Sequence, residues 1–244
     1  MKIGAVVQAR MGNSRFPGKN GVLLCGKPQI WHVLNRLQQC QTFNEIILAL
    51  PHESNGTVQK EAARELDIPV LDYKGDYNNV LHRHVLAADI MDFDIVVRVP
   101  GDNTLVDPRI VDDTVRTYNR NPPRWNYLCS SLDDFGEGHP AGLGCEIWDV
   151  RFLQWLDATV TEKRHREHPH KWPVENKQVE PWAAYPWLDY QQNPSIPCKF
   201  SVDTPEEWEW TKRIYEALYP IDPNFRTRDV LLYLGEQNEQ RNNR

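Results

Sequence analysis

Short, largely apolar runs alternate with stretches of helical spacing through the first half of the chain, and no other feature limits the fold as tightly. The runs are Ile3-Gly4-Ala5-Val6-Val7, Glu45-Ile46-Ile47-Leu48-Ala49-Leu50, Val70-Leu71 and Asp94 to Val99. Unbroken apolar runs bounded by turn residues read as buried parallel strands. Between them, Ile30, Trp31, Leu34 and Leu37 follow Pro28, and Val58, Ala62 and Leu66 recur at the same spacing. Leu81, Val85 and Ala88 then follow the capping candidates Asn78 and Asn79 in a helix that runs to the neighbourhood of Met91. Strand, helix, strand, helix predicts an α/β fold with a mostly parallel sheet. Asp107-Pro108 opens a further helix carrying Ile110, Val111, Val115 and Tyr118.

Such sheets bind ligands at the carboxyl ends of their strands, and two loops stand there. The first is Gln8-Ala9-Arg10-Met11-Gly12-Asn13-Ser14-Arg15-Phe16-Pro17-Gly18-Lys19. Three fixed cations, Arg10, Arg15 and Lys19, share it with two glycines that let backbone N–H groups turn toward one anion. Triphosphate is the natural guest. A Walker phosphate loop has four residues before its Gly-Lys and then Ser or Thr for magnesium; here five residues separate Gly12 from Gly18-Lys19, and Asn20 follows. The G-x-G-x-x-G of a dinucleotide fold is absent, and a basic surface loop is the plain alternative. The second loop is Val99-Pro100-Gly101-Asp102, where Gly101 allows a turn and Asp102 is a candidate magnesium ligand. The competing role for Asp102 is an Asx turn or helix cap.

Beyond Asn121 the composition changes. Pro122 and Pro123 are followed by six of the nine tryptophans between Trp125 and Trp187, with strand candidates at Tyr127-Leu128-Cys129 and Cys145-Glu146-Ile147-Trp148. Aromatics at this density more often make core or interface than a ligand platform. Arg164-His165-Arg166-Glu167-His168-Pro169-His170 gathers three histidines with the ligand chemistry of zinc or nickel. Pro169 breaks any helix that would align His168 with His170, so a polar, solvated helix end competes. Lys199 to Asp203 reads as a last strand ending in an acid. Thr204 as N-cap, Pro205 at the first position and Glu207 closing a capping box then start a helix with Trp208, Thr211, Tyr215 and Leu218 inward. With Thr204 as the cap, Asp203 stands free to meet Asp102 across the sheet edge. Thr227 is expected to cap a final helix with Val230, Leu231 and Leu234 inward, ending at Gly235 before a loose polar tail.

The whole-chain properties restrict partners. A chain of 244 residues supports one sizeable core. A net charge of −6 argues against a nucleic-acid partner, and cations concentrated in one loop of an acidic protein point to a small anion. Five cysteines (Cys25, Cys40, Cys129, Cys145 and Cys198) form no C-x-x-C pair, so reduced thiols are expected. With no signal-like N-terminus and no apolar run near the roughly 18 residues of a membrane span, a cytoplasmic protein without membrane contact is expected.

The string QARMGNSRFPGK resembles the signature loop of the sugar-activating cytidylyltransferases: the spore-coat polysaccharide type, the CMP-acylneuraminate synthetases and the Kdo cytidylyltransferases. Leu24-Cys25-Gly26-Lys27-Pro28 brings the spore-coat type nearest. Val80-Leu81 with Arg83, Val97-Arg98-Val99-Pro100-Gly101-Asp102, Gly142-Leu143-Gly144-Cys145-Glu146, Arg166-Glu167-His168 and Val202-Asp203-Thr204-Pro205-Glu206-Glu207 agree in order and spacing. The resemblance implies a Rossmann-like, GT-A-like nucleotidyltransferase fold of three layers. Length points to one domain over 1–244, with the Trp/Pro-rich stretch at about 122–198 an elaboration that forms an acceptor lid, a subunit contact or both; the resemblance implies a homodimer. Departures fall mainly on the acceptor side: Gly144 replaces the Asp of a Gly-Leu-Asp-Val-Glu motif, and Pro169-His170 replaces Val-Thr. Asn13-Ser14 stands where relatives carry Ser-Thr or Ser-Lys.

The activity implied is nucleotidyl transfer to an acceptor with loss of pyrophosphate. Gln8, Ala9, Arg10, Gly12, Asn13, Ser14, Arg15, Lys19 and Gly101 are expected to hold the nucleotide. The resemblance adds Arg83 and Arg98, and cytosine as the base, hence CTP. Asp102 and Asp203 are expected to carry Mg²⁺, and Lys19 to stabilise the leaving group. Glu146, Arg166, Glu167 and His168 are expected to border a small anionic acceptor, with the Arg166 fork suited to a carboxylate or phosphate. Two rivals stand: a nucleotide-sugar glycosyltransferase, which would place Asp-x-Asp where this chain has Asp102-Asn103-Thr104, and a nucleotide-binding relative without turnover.

Overall fold

A computed structural model describes residues 1–52, 56–120, 126–130, 139–176 and 199–242. Strand β1 (Ile3–Gln8) runs into the cationic loop, which closes with a 3-10 turn at Lys19–Gly21. A small hairpin, β2 (Leu23–Leu24) and β3 (Lys27–Pro28), then leads into helix α1 (Gln29–Leu37). Its tip uses Cys25 and Gly26 at φ 47° and 83°, and Pro28 sits at the N-cap rather than the first helical position. The chain continues through β4 (Glu45–Pro51), α2 (Thr57–Glu65), β5 (Val70–Tyr73), α3 (Val80–Met91), β6 (Ile95–Pro100) and α4 (Pro108–Arg120). Next come β7 (Tyr127–Cys129), β8 (Glu146–Asp149), α5 (Val150–Thr159), α6 (Lys163–Glu167) and α7 (Lys171–Glu175). The last helices are α8 (Pro205–Leu218) and α9 (Thr227–Asn242).

Six strands form one sheet in the order β5-β4-β1-β6-β8-β7. The first four are parallel, and β8 and β7 add an antiparallel edge. Period-two alternation splits β1 between the faces: Ala5 and Val7 pack with Ile30, Leu34 and Val111 of α1 and α4, and Val6 packs with Leu81, Val85 and Leu153 of α3 and α5. Helices on both faces of the sheet give three layers. From β1 the chain builds outward through β4 and β5 and then returns to the other side of β1 as β6. The β1/β6 border is thus the topological switch point. Gln8 and Pro100 are register partners there, so the cationic loop and Gly101-Asp102 leave the sheet side by side.

Three expectations need correction. Lys199 to Asp203 makes only a single parallel bridge, Ala141 to Lys199, and no strand. Its N–H groups go to loop carbonyls instead: Phe200 donates to Ala141 at 2.6 Å and Val202 to Asp102 at 3.0 Å. Thr227 begins α9 rather than capping it; its N–H donates to Asp107 Oδ2 (2.8 Å), and Asp229 receives the preceding Arg226 N–H (2.7 Å). Helix α9 also runs through Gly235, because Val230 and Leu234 are packed in a core with Phe200, Trp208 and Tyr215 that outweighs the roughly 1 kcal/mol helix cost of one glycine. Pro122, Pro123, Trp125, Trp182, Trp187 and Cys198 lie outside the described residues, while Cys25, Cys40, Cys129 and Cys145 are free thiols. No helix among the described residues is long and apolar enough to cross a membrane.

Candidate active site

Two acids from distant parts of the chain meet on one lysine. The turn after β6 presses Gly101 against β1: its N–H donates to Gln8 O at 2.7 Å, and a Cβ there would lie 2.8 Å from the Ala9 Cβ. Close approach, rather than an unusual backbone angle, is what demands glycine, and the next side chain, Asp102, is set over the sheet edge. On the other side the capping box forms as the sequence predicts. Glu207 N–H donates to Thr204 Oγ1 (3.3 Å), while Glu207 Oε2 accepts the N–H groups of Thr204 (3.0 Å) and Asp203 (2.6 Å). The Asp203 carboxylate, relieved of capping, turns inward. Gly142 makes room for this crossing, since at φ 97° a Cβ would lie 2.3 Å from Ser201 N.

Lys19 occupies the point where they converge. It follows Gly18 at φ 76° and is only 3% exposed. Its ammonium donates to Asp102 Oδ2 (2.6 Å), Asp203 Oδ1 (2.8 Å) and Val202 O (2.7 Å), filling all three donor positions. Lys199 donates to the second Asp203 oxygen (2.7 Å) and to Glu207 (2.9 Å), and Arg15 approaches Asp203 at 3.1 Å. Burial opposes ionisation of Asp203, but the hydrogen bonds from Lys19 and Lys199 outweigh it and hold the carboxyl down at about 2.

The loop between is pinned from within. Met11 O accepts from the N–H groups of Asn13 and Gly18, both at 2.9 Å, and Arg10 O accepts from the amides of Asn13 (2.8 Å) and Asn20 (2.9 Å). Arg10 reaches sideways to Asn78 (3.0 Å) and Glu167 (3.3 Å), with its guanidinium 5.6 Å from the Tyr77 ring centre. Under the loop, Arg98 donates to Gln8 Oε1 (2.9 Å) and pairs with Glu146, which also accepts from Trp148 Nε1 (3.0 Å). Burial pushes the Glu146 carboxyl up against the pull of Arg98. Arg83, buried in α3, donates to Tyr77 O at 3.0 Å.

These groups surround a cavity of about 490 Å³. Of the predicted site residues, Gln8, Ala9, Arg10, Asn13, Ser14, Arg15, Lys19, Arg83, Arg98, Gly101, Asp102, Glu146, Glu167, His168 and Asp203 line it. Gly12 is exposed and Arg166 is turned away. Arg166 instead bonds Asn79 Oδ1 (3.1 Å), Val160 O (2.8 Å) and Asp157, tying the α5–α6 corner to the first turn of α3. The three histidines also part company. His165 bonds Glu175 (2.8 Å), while His168 and His170 face the cavity with ring centres 6.0 Å apart. No group of three His, Cys, Asp or Glu side chains among the described residues gathers to hold a metal ion, so the zinc or nickel alternative for the histidine run finds no support. Burial lowers the His168 pKa, keeping the ring neutral at neutral pH.

Lining residues that the sequence did not assign to the nucleotide or the acceptor include Asn20, Gly142, Gly144, His170, Lys171, Lys199 and Ser201. Gly144 packs against β7's exit: a Cβ would lie 2.0 Å from Ser130 Oγ, which accepts from Cys145 N–H at 2.8 Å. The signal for Lys199 was its spacing of four from Asp203. For His170 and Lys171 the chain carried no periodicity to follow.

A cation-lined cavity over the switch point of an α/β sheet, with two acids converging at its floor, has the architecture of a nucleotidyltransferase. Residues 5–146 match the family model described as cytidylyltransferase, and the chain belongs to that family. A 3-deoxy-manno-octulosonate cytidylyltransferase from Oleidesulfovibrio alaskensis is 32% identical over 116 residues, 46% of this chain and 45% of the relative. An 8-amino-3,8-dideoxy-manno-octulosonate cytidylyltransferase from Shewanella frigidimarina is 29% identical over 156 residues, 63% of this chain and 57% of the relative. The chain thus spans about half the length of the curated relatives it matches. A solved cytidylyltransferase from Leptospira borgpetersenii superposes with a TM-score of 0.85 at 25% identity, over 98% of this chain and 96% of that one.

Proposed function

We propose that this protein transfers the cytidylyl group of CTP to a small anionic acceptor, with release of pyrophosphate. The acceptor class is a sugar acid such as 3-deoxy-manno-octulosonate, a sugar phosphate or a related phosphonate, used in making surface polysaccharide. The observation that carries the reading is the convergence of Asp102 and Asp203 on Lys19 inside a cavity ringed by arginine and lysine. Arg10, Arg15, Lys19 and the loop N–H groups would hold the β- and γ-phosphates, since an anion attacking a polyanion needs surrounding positive charge.

Mg²⁺ is the proposed cofactor. The donor set fits it: two carboxylates face one cationic point, now filled by the Lys19 ammonium, and Mg²⁺ is commonly held by one or two carboxylates plus waters and substrate phosphate. Asp102 and Asp203 would be its protein ligands, and when bound it would supply charge stabilisation at the α-phosphate. Lys19, turned from the acids, would then neutralise charge on the departing pyrophosphate. A phosphate acceptor needs no base, being already ionised. For a hydroxyl acceptor His168 is a neutral imidazole on the cavity wall, suited to take up the proton.

A homodimer through the 122–198 elaboration is proposed as well. Trp155 is 48% exposed and stacks on Phe152 beside Trp172, which supports an aromatic contact surface on α5. The deciding experiment mixes protein, Mg²⁺ and each of the four NTPs with a panel of sugar acids and sugar phosphates, and follows pyrophosphate. CTP-specific release with an anionic acceptor is expected. CTP binding without pyrophosphate from any acceptor would leave a nucleotide-binding protein in place of an enzyme.

A further inference from the structure

The cations around the cavity are unequally engaged. Arg10 meets Glu167, Arg15 and Lys199 meet Asp203, Lys19 meets both acids, and Arg98 meets Glu146. Lys171 lines the same cavity and has no ion-pair or side-chain hydrogen-bond partner among the described residues. An engaged cation must exchange a carboxylate for any incoming anion, and removing one partner of a buried pair is costly. Lys171 has no such pair to give up, and the carboxylate its charge acts on, Glu175, is already engaged by His165 and Arg164.

Its position gives this charge a direction. Lys171 N–H donates to His168 O at 3.1 Å, and the adjacent His170 ring lies 3.8 Å from Glu146 on β8. The ammonium therefore belongs to the β8 side of the cavity, while the Lys19 cluster belongs to the loops after β1 and β6. We propose that Lys171 is the counter-charge for the anionic group of the acceptor, a carboxylate or phosphate on a small sugar, and so a specificity-determining residue. The proposal rests on the reading of the cavity as a site of nucleotidyl transfer.

Titration calorimetry on the whole protein tests it with 3-deoxy-manno-octulosonate, galactose 1-phosphate, the neutral methyl galactoside, and CTP with Mg²⁺. The wild type is expected to bind at least one of the two anions, and which one it binds separates carboxylate from phosphate. Lys171→Met is expected to weaken that binding about tenfold or more, with CTP affinity changed less than about twofold and an unchanged melting temperature, and Lys171→Arg is expected to restore most of it. Wild-type affinity for the anion in Lys171→Met, or a wild type that binds neither anion, overturns the proposal. Loss of CTP binding in the wild type sinks the nucleotidyl transfer reading instead, and the anion arm still reports on Lys171.

Discussion

The two sides of the cavity are held in place by different means. On the loop side, Gly101 and Asp102 sit directly beyond the end of β6 and the loop that carries Lys19 leaves the end of β1, and the register of the two strands is fixed by a parallel ladder from Ile3 opposite Ile95 to Gln8 opposite Pro100. On the β8 side, Glu167, His168, His170 and Lys171 come from two five-residue helices and the turn between them, anchored by side-chain pairs such as Arg10 with Glu167 and Arg166 with Asp157. Backbone ladders hold position whatever the neighbouring side chains are. Side-chain anchors hold position only through the particular residues that make them, so the second wall depends on its sequence more than the first.

Four substitutions sharpen or break this contrast, taken from the largest expected effect downward. Lys19→Ala removes the cation between the acids and is expected to lower cytidylyl transfer at least tenfold, about 1.4 kcal/mol or more of barrier, with the circular dichroism spectrum retained. Unchanged turnover would remove Lys19 from the chemistry. Asp203→Asn is expected to raise the magnesium requirement and to change acid stability. The folded carboxyl titrates at about 2 and the unfolded one near 4, so its contribution of about 2 kcal/mol is present above pH 4 and lost as pH falls through 2. A urea-melt series from pH 5 to about pH 2 should therefore fall less steeply in the variant. An identical slope would show that the Lys19 and Lys199 contacts do not persist in solution.

Gly144→Asp places here the acid of the Gly-Leu-Asp-Val-Glu motif that this stretch resembles. Its Cβ would meet Ser130 Oγ at 2.0 Å, so a loss of about 1–3 kcal/mol and a melting point several degrees lower are expected, with recovery in the Ser130→Gly/Gly144→Asp double variant. A stable single variant would mean that β7 yields easily. Arg166→Ala has the smallest expected effect on activity. It should destabilise by about 1–3 kcal/mol through the loss of the Asp157 and Asn79 bonds, while the acceptor KM stays within about twofold. A raised acceptor KM at constant melting temperature would return Arg166 to the binding wall.

The same contrast explains what was legible in the chain. Asp102 was readable because an apolar strand and a glycine announce where it must stand. Asp203 was readable because Thr204 and Glu207 form a capping box that leaves its carboxylate over. Their shared partner was not, since nothing local says that a lysine in the first loop will reach the opposite end of the sequence. Arg166 stands off the cavity, and adjacency to Glu167 and His168 says nothing of which helix face a side chain takes. Lys199 to Asp203 looked like a strand by composition, yet loop carbonyls at Ala141 and Asp102 met its N–H groups before any strand neighbour did.

The Lys19 to Asp203 bond spans 184 positions of sequence. At ribosomal rates of about 5–20 residues per second, roughly 10–40 s of translation separate the two residues. Throughout that interval a nascent chain carries the cationic loop without the acid that faces it. A polypeptide released early would lack the Asp203 carboxylate, and the cluster on Lys19 is complete only when the Phe200–Trp208 segment docks onto the finished sheet.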